Sequence, residues 1–189
     1  MKVKVLADPS LREKNPGWVE GVRGLIASAS NYFEGEFGIR FLIQSVGPWS
    51  LREAFSSTAL LLIDLKEEFP VKDKDKSYDL IVAFTGEPVD IYFDARARVD
   101  RIGNCRGGLG HYVVSSVSAP FRPYGGDPDE AWDRETDVLA LIHEFGHIFG
   151  AEHSDDSSSI MYKDFAYRTQ FDKKNREIVL RNKFCPFER

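Results

Sequence analysis

Charged and apolar residues alternate at the start of the chain, Lys2-Val3-Lys4-Val5, and predict a short strand over Lys2–Ala7. Asn15-Pro16 then sets a capping residue before a proline at the first helical position. Trp18, Val22, Leu25, Ile26, Ala29 and Phe33 follow at helical spacing until Gly35 and Gly38. Ile39–Val46 reads as a strand closed by Gly47-Pro48. Ser50 and Glu53 make a capping box for a helix with Phe55, Ala59, Leu62, Leu65 and Phe69 along its stripe, stopped by Pro70. The charge run Val71–Tyr78 reads as a solvated loop. Leu80–Phe84 is apolar throughout and suits a strand covered on both faces. Glu87–Arg98 predicts no element, Val99–Asn104 is the expected edge strand, and Tyr112–Val117 its inner neighbour. Pro120–Asp137 is turn-rich and acidic and reads as a loop. Asp172–Lys183 is a closing helix, capped by Asp172, with Ile178 and Val179 inward. Strands alternating with helices predict a largely parallel sheet.

Between those last two segments Val138, Leu139, Leu141, Ile142, Phe145, Ile148 and Phe149 predict a helix apolar on nearly every side, hence one buried in a core. It carries H-E-F-G-H-I-F-G-A-E-H from His143 to His153. His143 and His147 leave the same face about 6 Å apart along the axis, which lets two imidazoles converge on one Zn²⁺. Gly150 permits a left-handed end to the helix, and the turned chain returns His153 as a third nitrogen. Three protein ligands leave one position for water, the mark of a catalytic rather than a structural zinc. Glu144 is not needed as a ligand; its expected role is general base towards the zinc-bound water in peptide hydrolysis. Three of the four histidines fall in this stretch. A chance match to its fixed positions is on the order of one in 10⁵ per chain.

These residues resemble the metzincin zinc endopeptidases, whose motif H-E-x-x-H-x-x-G-x-x-H is complete in His143, Glu144, His147, Gly150 and His153. Ser159-Ile160-Met161-Tyr162 is similar to the family's Met-turn, which places a methionine beneath the zinc. The spacing from His153 to Met161, with Ser154 and Asp156, is matrixin-like; Lys163 stands where an astacin would offer a tyrosine. Upstream, Asp79–Gly86 and Gly103-Asn104-Cys105 look like the adamalysin branch. The resemblance implies a twisted five-stranded mixed sheet with one antiparallel edge strand above the zinc helix. It also implies a single catalytic domain over 1–189, its upper part about 1–152 and its small lower part about 153–189. Phe165, Ala166 and Tyr167 would shape the specificity pocket beside the zinc, although packing serves as well from sequence alone. Cys105 and Cys185 resemble an adamalysin disulfide pair; two reduced thiols are the other reading.

Composition narrows partners and metals. A net charge of −5 with no basic stripe argues against nucleic acid. The longest clean apolar run, Ala59–Ile63, is too short for a membrane span. A monomer is expected. The first residues lack a signal-peptide core, and no pro-segment with a latency cysteine is visible. The chain then either works inside the cell or is a processed or trimmed secreted domain. Gly125-Gly126-Asp127 with Asp129, Glu130 and Asp133 offers hard oxygen ligands for Ca²⁺, but a polar loop is the simpler reading, so one catalytic zinc and no calcium is expected. His111 reads as an ordinary strand or surface residue. The expected substrate is an extended peptide added to the edge strand, unless a loop covers that edge. The competing function is a zinc-bearing peptide-binding or scaffold domain without turnover.

Overall fold

The computed structural model describes residues 1–51, 57–70, 77–87, 97–99, 105–118, 128–162 and 167–187, with 97–99 and 128–133 as backbone only. In chain order the elements are β1 (Lys2–Ala7), α1 (Pro9–Lys14), α2 (Trp18–Phe37), β2 (Leu42–Pro48), α3 (Thr58–Glu68) and β3 (Leu80–Thr85). They continue with β4 (Ala97–Val99), β5 (Tyr112–Ser116), α4 (Pro128–Ile148) and α5 (Lys173–Asn182). Among the described residues one sheet forms, in the order β2-β1-β3-β5-β4. β2, β1, β3 and β5 run parallel, and β4 lies antiparallel against β5 at one edge, pairing Ala97 with Ser115 and Val99 with Val113.

Each face of the sheet has its own core, because successive side chains on a strand point to opposite sides. Val3, Val5, Leu80, Val82, Phe84 and Val113 face α2 and α4. Leu6, Ile81, Ala83, Tyr112 and Val114 face α3 with Trp49. That double cover is why β3 reads as unbroken apolar sequence. No helix among the described residues is long and apolar enough to cross a membrane.

Five element readings shift. The edge strand β4 is Ala97–Val99, starting two residues before the expected Val99, and 100–104 lie outside the described residues. Asp8 starts a short helix, α1, by accepting from Leu11 N–H at 2.7 Å with Pro9 in the first turn. Asn15 therefore ends α1, its side-chain amide returning to the Leu11 carbonyl at 3.0 Å, and α2 starts at Trp18. On α3 the cap is Ser57, and the inward residues are Thr58, Leu61, Asp64 and Leu65. The stripe is rotated because buried Trp49 donates its indole N–H to Asp64 at 3.0 Å; Glu53 and Phe55 lie outside the described residues. β2 begins at Leu42, since Ile39 and Phe41 turn into the core. α4 begins at Pro128 rather than at Val138. A proline in the first turn followed by Asp129 and Glu130 satisfies the preferences of a helix start, and the turn-rich composition before it obscured that signal.

Candidate metal centre

The final turns of α4 are fixed by packing. Leu141, Phe145, Ile148 and Phe149 are fully buried. Phe33 of α2 meets the rings of Phe145 and Phe149 at 6.0 and 5.9 Å between centroids. The backbone that carries the polar residues of this helix is thus held by a rigid core.

His143 and His147 are both buried. Each ring sets Nδ1 on a backbone carbonyl, His143 at 2.7 Å from Ile160 O and His147 at 2.6 Å from Ala151 O. A nitrogen facing a carbonyl oxygen carries the proton, so Nε2 of each ring is a bare lone pair. The two Nε2 atoms face each other 3.1 Å apart. Two lone pairs at that distance repel, and a cation between them removes the conflict.

Gly150, with φ of 86°, ends the helix. Its N–H returns to His147 O at 2.9 Å, and Ala151 N–H reaches Gly146 O at 3.1 Å. Side chains are strained at this backbone conformation, which accounts for a glycine here. The turn delivers His153, and a ligand nitrogen from each of the three histidines lies within 4.8 Å of the others. Tetrahedral coordination at 2.0–2.1 Å places ligand nitrogens about 3.4 Å apart. The donor set therefore fits Zn²⁺ with small side-chain adjustments. Burial pushes the His143 imidazole down to about 4, against the pull of its Ile160 hydrogen bond. Burial, reinforced by neighbouring His143, pushes His147 down to about 3. Both rings are neutral near pH 7, the state a metal ligand needs.

Glu144 is buried beside His143 on the same helix. Met161 is fully buried beneath it, its sulfur 2.9 Å from where a side chain on Gly146 would begin. Ser159 shapes that lower turn, accepting from Met161 N–H at 3.1 Å and donating to Asp172 at 2.7 Å. Tyr167 donates its hydroxyl to Glu135 and packs against the main core; Phe165 and Ala166 lie outside the described residues. A cavity of about 480 Å³ opens here, lined by residues that include Ser158, Arg168, Phe171 and Asp172. A disulfide joins Cys105 to Cys185. His111 stands apart from the cluster, its Nδ1 2.9 Å from Asp79 O. The acidic side chains weighed for calcium, Asp127, Asp129, Glu130 and Asp133, are outside the described set.

Asn175 and Asn182 escaped the sequence reading, which took only Ile178 and Val179 of α5 as inward. Both asparagines are buried, and Asn182 donates to the Phe149 carbonyl at the end of α4 at 2.8 Å. The available signal was Asn175, Val179 and Asn182 at offsets of four and seven, one face of a helix.

A rigid helix that aims two neutral imidazoles at one point, with a third returning past a left-handed glycine, defines a zinc-dependent hydrolase of the metallopeptidase class. The model of metallo-peptidase family M12 matches residues 1–183, and the chain belongs to that family. It is a zinc metallopeptidase, with peptides or proteins as substrates. Its fold is similar to the crystal structure of archaemetzincin from Methanopyrus kandleri, with a TM-score of 0.63 at 20% identity. That match covers 97% of this chain and 95% of the other.

Proposed function

We propose that this chain is an endopeptidase in which His143, His147 and His153 hold one Zn²⁺ and Glu144 is the general base. The observation that carries the reading is the pair of facing Nε2 lone pairs, each fixed by a carbonyl behind it. Bound zinc would supply Lewis acidity, polarising the scissile carbonyl and acidifying a water. Glu144 takes the proton of the attacking water and delivers it to the leaving amine nitrogen; a C–O bond forms as the C–N bond breaks. Met161 supports the ligands from below through the α4 backbone at Gly146, without binding the metal. The substrate lies extended along β4, the edge strand among the described residues, where backbone hydrogen-bonding groups would receive it. The Phe165–Tyr167 stretch and the cavity beside it shape the specificity pocket. Residues 1–152 form the part above the cleft and 153–189 the part below.

Glu144→Gln keeps the shape and removes the proton acceptor. Zinc content and thermal midpoint should match the wild type, while cleavage of an unstructured protein substrate falls about 10²–10⁴-fold. Equal rates in fully loaded enzymes would remove Glu144 as base. A wild type that binds peptides yet cuts none of a broad set would favour the scaffold reading.

A further inference from the structure

The three ligands are not held alike. Core packing fixes His143 and His147, whereas His153 is exposed and sits in a turn after the helix. Both backbone groups of the residue just before it, Glu152, are gripped from α5. Asn175 accepts from Glu152 N–H at 2.8 Å and donates to Glu152 O at 2.9 Å. Its second amide hydrogen goes to Asp172 at 2.8 Å. Asp172 in turn accepts from Ser159, which holds Met161 N–H. One buried amide, 1% exposed, thereby ties the turn bearing His153 to the turn beneath the metal.

We infer that Asn175 is a positioning residue for His153, which sets how tightly the third ligand closes on zinc. The inference rests on the reading of His153 as a ligand. The chemistry favours an asparagine, because only a primary amide offers an acceptor and two donors in one plane. Loss of such outer-shell support typically costs about 10–100-fold in metal affinity. It also leaves the metal less symmetrically held, so the effect should appear in geometry as well as in affinity.

The test compares wild type with Asn175→Ala, Asn175→Ser, Val179→Ala and His153→Ala. Zinc affinity is read by competition with a chromophoric chelator, ligand geometry by the visible spectrum of the Co²⁺-substituted proteins, and turnover as kcat and KM separately. Asn175→Ala should weaken zinc about 10–100-fold, alter the Co²⁺ band pattern, and lower kcat more than it raises KM. Asn175→Ser keeps a small hydroxyl able to restore one of the three bonds, so it should show a smaller loss; it also carries the test if the alanine variant does not fold. Val179→Ala removes a fully buried side chain from the same helix. It should lower the thermal midpoint yet leave zinc affinity and the spectrum unchanged. Wild-type affinity and spectrum in both Asn175 variants, with zinc lost in His153→Ala, would overturn the inference alone. So would Val179→Ala weakening zinc as much as Asn175→Ala does. Zinc retained in His153→Ala would overturn the ligand reading itself.

Discussion

Gly146, the second free position between the two helix ligands, is held to glycine by what lies under it. A Cβ there would stand 2.9 Å from the Met161 sulfur and 2.9 and 3.0 Å from Phe171 ring carbons. Gly24 and Gly35, on another helix, would meet nothing within 4 Å. Alanine would gain about 1 kcal/mol of helix propensity, against about 1–3 kcal/mol for overpacking. The loss wins, because Met161 is fully buried and Phe171 is hemmed by Phe33 and Phe37 at 6.1 and 5.2 Å. Gly146→Ala should therefore lower the thermal midpoint and weaken zinc binding together; a variant as stable as wild type would show that the turn beneath α4 yields freely. At this scale the sequence was most readable where chemistry restricts residue type. Histidines at offsets of four and ten, with a glycine between, have few other uses. Asn175 was illegible because its bonds to the turn bearing His153 are to backbone atoms, and a backbone partner leaves no trace in the identity of Glu152.

Elements were legible in proportion to how much their own residues decided them. β3 and β5 fell where their apolar runs stand, since both faces are buried. α3 came out rotated because one long-range bond, Trp49 to Asp64, outweighs the local stripe. The C-terminal segment is pinned to the loop before β5 by Cys105–Cys185, with Leu109 N–H on Pro186 O at 3.0 Å beside it. The bridge spans a sequence separation of 80. Cross-links of that span restrict the unfolded chain enough to stabilise by about 2–4 kcal/mol. Reduction, or Cys105→Ser with Cys185→Ser, should shift the denaturant midpoint down accordingly. No shift would mean that the native contacts hold this corner without the bond.

For the whole molecule, burying two neutral imidazoles links stability to pH. Unfolded, His143 and His147 bind protons near 6.5; folded, they resist until about 4 and 3. The unfolded state thus binds more protons below pH 6.5, so stability is full above that value and declines as pH falls towards the folded values. Metal-free protein should lose urea resistance between pH 7 and 5, and His143→Gln with His147→Gln should flatten that dependence. An unchanged slope in the double variant would assign it to other groups. Order along the chain matters as well as position in space. The ligand motif on α4 precedes α5, which carries the two asparagines that grip its far end. A ribosome therefore makes the metal-binding letters first and their fastening afterwards. On this reading a growing chain displays His153 before it can aim it, and the third ligand is drawn into place only as synthesis passes α5.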